Sequence, residues 1–96
     1  MNKKILEDKI KNGLNPSWIE VVDESNLHAG HAGVLDRGGS HFSVIIVSEK
    51  FENKSKIARQ RMVFTLLADE MKNENRDGLH ALRMETWTDS EWKARQ

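Results

Sequence analysis

An α+β layer fold in the order αββαβα is what this chain predicts. Three observations carry the expectation. Apolar residues recur at helical spacing in two long stretches, one at the N-terminus and one after Ser55. Shorter stretches are β-branched, or alternate between apolar and polar residues as half-buried strands do. Glycine, proline, asparagine and cap-forming residues separate the two kinds of stretch.

The opening Met1–Leu14 reads as an amphipathic helix, with Ile5, Leu6, Ile10 and Leu14 roughly one and two turns apart and charges between them. Gly13 and then Asn15-Pro16 are expected to stop it. Trp18–Asp23 is β-branched and aromatic, the composition of a strand. Glu24–Ser40 follows as a 17-residue connection holding four of the six glycines, Gly30, Gly33, Gly38 and Gly39. Loops of that length in a small domain are usually functional or disordered, and the glycines raise the entropy cost of ordering this one, so it is expected to be the most mobile segment.

His41–Ser48 is the clearest strand. Phe42, Val44 and Ile46 fall on one face and Ile45 and Val47 on the other, which predicts a central strand covered on both sides. After a turn at Glu49–Asn53, Ser55 is placed to cap a helix running to Met71. Its stripe is Ile57, Ala58, Met62, Val63, Leu66, Leu67 and Met71. The polar run Asn73–Gly78 ends that helix. Leu79–Trp87 alternates, with His80, Leu82 and Met84 on one face and Arg83 and Glu85 on the other. Thr88 then caps a short helix, Asp89–Ala94, and Glu91 completes the spacing of a capping box.

The 96 residues suffice for one small domain, 1–96, and no internal repeat or low-complexity segment divides them. Fifteen basic and fifteen acidic residues cancel, so no global field draws the chain to nucleic acid or to an anionic membrane. The longest apolar run, Val44–Val47, is far too short to span a bilayer or form a signal-peptide core. Glu7 and Asp8 stand where a transit peptide would be poor in acids, and the chain is expected to be cytoplasmic.

There is no cysteine, hence no disulfide, no thiolate nucleophile and no thiolate metal ligand of the chain's own. Tyrosine is absent too, which removes one common general acid. No Gly-x-Ser-x-Gly elbow and no paired-carboxylate motif stands out, so the chain is not expected to be an enzyme. Four histidines remain as the chemistry-bearing residues: His28 and His31 in the glycine-rich loop, His41 where that loop meets the central strand, and His80 opening the last strand. Their spacing matches no zinc-finger or His-Glu-x-x-His pattern, and taken alone it fits solvated loop histidines and one half-buried strand histidine better than a ligand set. A basic run, Lys50, Lys54, Lys56, Arg59 and Arg61 against the single acid Glu52, could hold phosphate or be a solvated helix face. Gly30-His31-Ala32-Gly33 spells the Gly-x-x-Gly of RNA-binding KH domains, but it lies between two strands rather than two helices. Trp18, Trp87 and Trp92 are scattered near element ends and are expected to be core and lid residues.

Seven segments in register resemble the BolA family. They are Glu20-Val21-Val22-Asp23-Glu24-Ser25, His28-Ala29-Gly30-His31, Gly39-Ser40-His41-Phe42 with Val44 and Ile46-Val47-Ser48, Phe51 with Lys54-Ser55, Arg59 with Arg61-Met62-Val63, Leu79-His80-Ala81-Leu82, and Thr86, Thr88 and Trp92. The resemblance spans about Ile5 to Trp92. It implies a topology like that of type II KH domains without their Gly-x-x-Gly loop. The expected sheet is three-stranded and mixed, Trp18–Asp23 antiparallel to Phe42–Ser48 and Leu79–Trp87 parallel to one of them, with the helices on one face and the other partly open.

The resemblance also implies partnership with a monothiol glutaredoxin in iron–sulfur cluster assembly, trafficking or iron sensing. The family's cluster ligands, at the start of the second strand and at the histidine opening the last strand, fall on His41 and His80, with His31 as the alternative loop ligand. Some members carry a loop cysteine; this chain resembles the histidine-type branch. It departs from the family at Gln60, where histidine is usual, and at Asn53, where glycine is frequent. Two histidines can replace two thiolates on one iron of a [2Fe-2S] cluster. This chain can supply those nitrogens and none of the sulfurs, so a shared cluster requires outside thiols, those of glutaredoxin and glutathione. The isolated chain is expected to be a monomer without cofactor and to form a heterodimer with its partner. A competing reading is a nucleic-acid-binding transcriptional regulator that uses Lys54, Lys56, Arg59 and Arg61. A third is an interaction adaptor with no ligand of its own.

Overall fold

The computed structural model describes residues 3–24, 41–68 and 81–95. Helix α1 (Lys3–Leu14) turns Leu6, Ile10 and Leu14 inward, each four residues from the last, and all three are buried. Ile5, off that row, is 44% exposed, so the buried stripe is narrower than the spacing suggests. Gly13 does not stop the helix, which continues to Leu14. Instead it admits a close neighbour: a Cβ at this position would clash with the Cδ atoms of Leu66. The stop is Asn15, whose φ of 44° is left-handed and whose amide donates to the Lys11 carbonyl at 3.0 Å. Asparagine tolerates that conformation better than most residues, and Pro16 cannot continue a helix.

Strands β1 (Trp18–Asp23), β2 (His41–Val47) and β3 (Ala81–Trp87) form one sheet in that order. β1 runs antiparallel to β2, with Trp18 opposite Val47 and Asp23 opposite Phe42. β2 and β3 are parallel, with His41 opposite Ala81 and Val47 opposite Trp87. A parallel pair needs a crossover, and α2 (Lys56–Leu66) lies within it. Ser55 caps α2 as expected, its Oγ accepting from the Ala58 amide at 3.1 Å. The helix stops short of the expected Met71: it ends at Leu66, and Leu67, with φ of -105° and ψ of 13°, forms its C-cap, its amide donating to the carbonyls of Val63 and Phe64. The polar run expected after it falls outside the described residues. So do the mobility expected of residues 25–40 and the first two residues of the expected last strand.

Both helices cover the same sheet face. Phe42, Val44 and Ile46 of β2 and Val21 of β1 meet Leu6, Ile10 and Leu14 of α1 and Val63 of α2, with Leu67 at the α2 C-cap. Ile19, Leu82 and Met84 complete that face. On the other face Ile45 is only half-buried and Val22 is 55% exposed, so β2 is central without being covered on both sides. In α2, Ile57 is 62% exposed and leaves the expected stripe, while Arg59 is buried on the row of Val63 and Leu67.

The turn after β2 is a short 3₁₀ helix, Glu49–Phe51, which drives Phe51 fully into the core. Ser48 caps it and ties it to α1: its buried Oγ accepts from the Lys50 amide at 3.2 Å and donates to the Leu14 carbonyl at 2.7 Å. The last helix, α3 (Asp89–Ala94), begins at the expected capping box, with Thr88 Oγ1 accepting from the Glu91 amide and Glu91 Oε1 accepting from the Thr88 amide. Among the described residues no helix is long and apolar enough to cross a membrane.

Candidate functional site

His41 opens β2 on the face away from the helices, in line with Ser43 and Ile45. It is half-buried, and its carbonyl accepts from the Glu24 amide at 2.8 Å, which draws the start of the long loop against the start of β2. Glu24 also faces Arg83 of β3, Oε2 to Nη1 at 3.9 Å. The start of β2 and the start of β3 therefore form one corner of the sheet, with His41 in register with Ala81. His80 directly precedes Ala81 in the sequence, but His28, His31 and His80 all lie outside the described residues. Among the described residues no three His, Cys, Asp or Glu side chains gather closely enough to hold a metal ion. A metal site built on His41 must draw its other ligands from elsewhere in the chain or from another molecule.

The basic run divides. Lys54, Lys56 and Arg61 are exposed, but Arg59, expected with them as a phosphate contact, is turned inward. Its Nε donates to the Lys54 carbonyl at 3.0 Å and its Nη1 to the Thr86 carbonyl at 3.2 Å. Nη1 and Nη2 grip both carboxylate oxygens of Glu91, at 2.7 and 3.0 Å. The guanidinium also lies over the Phe51 ring, 5.8 Å from its centroid. The Arg59 hydrogen bonds, followed by the Thr88 amide, hold the Glu91 carboxyl at about 2, well below its ordinary value. Glu91 in turn raises the Arg59 guanidinium, so the pair stays charged. The sequence signal for this role is the spacing of Arg59, four and eight residues before Val63 and Leu67, on a row that faces the core. A groove of about 320 Å³ opens above the pair, with Lys54, Lys56 and Gln60 on one wall and Glu85 and Trp87 on the other.

The tryptophans are neither scattered nor all core. Trp18, Val47 and Trp87 are register neighbours across all three strands on the open face. Trp92 of α3 meets Trp87 edge to face at 5.6 Å, and Arg95 stacks on Trp92 at 3.6 Å. Trp18 is 47% exposed. Ser17 Oγ donates to Asp89 Oδ1 at 2.6 Å, which pins α3 beside β1. Strand parity and register bring these residues together, and neither is visible before the pairing is known.

This arrangement matches that of known proteins. The family described as BolA-like protein matches residues 10–91. The DNA-binding transcriptional regulator BolA of Escherichia coli K12 is 35% identical over 96 residues, covering 100% of this chain and 84% of that protein. SufE-like protein 1 of Arabidopsis thaliana is 41% identical over 90 residues, 90% of this chain, which spans only 23% of that protein. Among solved structures, the BolA domain of SufE1 from Arabidopsis thaliana superposes with a TM-score of 0.77 at 36% identity, covering 95% of this chain and 98% of that one. BolA1 from the same plant gives 0.78 at 36% identity, covering 95% of each chain. The αββαβα chain, with its mixed sheet and one helical face, belongs to the BolA family.

Proposed function

We propose that this chain is a non-enzymatic, cytoplasmic partner of a monothiol glutaredoxin and co-ligates a [2Fe-2S] cluster shared with that protein and its glutathione. His41 and His80 are the ligands on one iron, with His31 as the alternative loop ligand. The observation that carries this reading is the parallel register of β2 and β3, which sets His41 beside the start of the strand that His80 directly precedes. The donor set fits half of such a site: imidazole nitrogens are available, thiolates are not, and two histidines suffice for one iron. The partner then provides the thiols for the other. When bound, the cluster supplies a sulfide-bridged iron pair for transfer or sensing. The chain's own part is to supply imidazole nitrogens, from His41 at the corner of the sheet where β2 and β3 begin and from His80. Co-expression with the glutaredoxin and visible circular dichroism test this. Loss of the histidine-ligated signature is expected in His41→Ala and His80→Ala but not in His31→Ala, whereas an unaltered spectrum in His80→Ala removes the ligand assignment.

A second reading is a nucleic-acid-binding regulator, favoured by the name of the Escherichia coli relative. Its phosphate contacts would be Lys54, Lys56 and Arg61, because Arg59 is committed to Glu91. Salt-sensitive binding of a DNA duplex by the isolated chain separates it from the cluster reading.

A further inference from the structure

We infer that the outward face of α2 is a docking surface for an acidic, amphipathic helix of a partner protein. Ile57 is 62% exposed and Phe64 is 36% exposed, seven residues apart on one helix. Two helical turns separate them, about 10 Å along the axis, so both project from the same side. Gln60 and Arg61 lie between them and are exposed. The buried row of this helix, Arg59, Val63 and Leu67, faces the opposite way, so no contact with the core accounts for an isoleucine and a phenylalanine here. Lys54 and Lys56 border the pair at the start of the helix.

Charge identifies the occupant. No Asp or Glu occurs from Asn53 to Ala68. Arg59 is neutralised by Glu91, whereas Lys54, Lys56 and Arg61 form no ion pair among the described residues. An apolar pair bordered by three cations that form no ion pair among the described residues is complementary to a helix with two apolar residues seven apart and carboxylates between and beside them. A second copy of this chain fits poorly, since a two-fold contact would gather the cations of both copies on one small surface with no acid of residues 53–68 to offset them. Nucleic acid would pair the cations but set Ile57 and Phe64 against a polar backbone. The surface is small, so the contact is of the transient kind. It lies on no strand that carries a candidate cluster ligand, and it stands independently of the cluster proposal.

The probe is a synthetic helical peptide with leucines seven residues apart and glutamates at the three positions that would face Lys54, Lys56 and Arg61. It is titrated into the isotopically labelled full chain and followed by amide chemical shifts. Saturable shifts centred on Ile57, Gln60, Arg61 and Phe64 are expected. Affinity should fall at least tenfold with a lysine-substituted peptide, and at least tenfold in the Ile57→Ser/Phe64→Ser double variant. Ile57 is mostly exposed and Phe64 partly so; circular dichroism and the thermal midpoint of the variant, compared with the parent, distinguish a lost interaction from unfolding. Absent or scattered shifts overturn the inference. So do concentration-dependent shifts of the same residues without peptide, which assign the face to self-association, or tighter binding of a 20-base-pair duplex there, which assigns it to nucleic acid.

Discussion

Arg59 and Glu91 join two elements 32 residues apart through paired hydrogen bonds of 2.7 and 3.0 Å. One end of the bridge is buried and the other is not: the arginine side chain is 8% exposed and the glutamate 45%. The guanidinium therefore depends on its partner far more than the carboxylate does. Glu91→Ala leaves a buried cation with only carbonyl acceptors and removes half of the Thr88 capping box. A loss of about 2–3 kcal/mol in chemical unfolding is expected, below that of a fully buried pair because water reaches the carboxylate. Arg59→Met removes the charge along with its partner's need for it and should cost less than Glu91→Ala. The reverse order would mean that the arginine acts mainly through packing.

The same pair makes stability sensitive to acid. The Glu91 carboxyl sits at about 2 in the folded chain against an ordinary 4.5. A depressed carboxyl contributes stability that is present above the unfolded value and is lost as pH falls through the folded one. Stability should therefore decline between pH 4.5 and about 2. In Glu91→Gln that part of the decline should be absent, which unfolding curves of both proteins across this range can check.

Gly13 and Leu66 form a second coupled pair. A Cβ added to Gly13 would clash with the Cδ atoms of Leu66, so Gly13→Ala must push the leucine aside. The clash is with the flexible end of a half-buried side chain, so the overpacking cost lies near the low end of about 1–3 kcal/mol and roughly offsets the helix propensity of about 1 kcal/mol that alanine recovers. In a Leu66→Ala background the clash is gone and only the propensity gain remains. Gly13→Ala should then stabilise by up to about 1 kcal/mol. A double-mutant cycle reads the coupling directly, and additive changes would contradict the close approach.

How much of this was legible beforehand follows from which signals are local. β1, α3 and the caps at Ser55 and Thr88 were readable because each rests on a few neighbouring residues: a β-branched run, or a hydroxyl three positions before its amide. Gly13 misled because its helix-breaking tendency competes with a packing demand that only the neighbouring helix reveals. Arg59 misled for the opposite reason. Its position on the core row was visible, but a charge is expected outside unless a partner is known, and Glu91 is remote in sequence. The tryptophan group on the open face required the register of all three strands. Of the candidate ligands only His41 lies among the described residues.

Asn15 and Asn53 hold left-handed backbone, with φ of 44° and 62°. Asn53 stands where the resemblance leads one to expect glycine, and its φ shows why glycine suits the position. Asn53→Gly should change stability by less than about 0.5 kcal/mol, because relief of Cβ strain is offset by a more flexible unfolded chain. Asn53→Val should cost at least about 1–2 kcal/mol, the penalty for a residue with a branched Cβ in this region. Thermal unfolding of the two variants measures the contrast, and equal midpoints would place Asn53 outside the left-handed region in solution.

The burial of Arg59 also sharpens any assay of nucleic-acid binding. Each lysine or arginine that neutralises a phosphate contributes about 0.9 to the slope of log affinity against log salt. If the exposed cations touch DNA, Lys54→Ala, Lys56→Ala and Arg61→Ala should each lower that slope by about one and weaken binding to all sequences alike. Arg59 differs, since its guanidinium is bound to Glu91 and to two main-chain carbonyls. At a salt concentration and temperature where the variant remains folded, Arg59→Met should leave the slope unchanged. The measurement is a fluorescence-anisotropy titration over a range of salt concentrations, with circular dichroism of each variant alongside. A slope reduced by about one in folded Arg59→Met would mean that the arginine leaves Glu91 for a phosphate when DNA binds. The bridge to α3 would then be a switch rather than a fixed part of the fold.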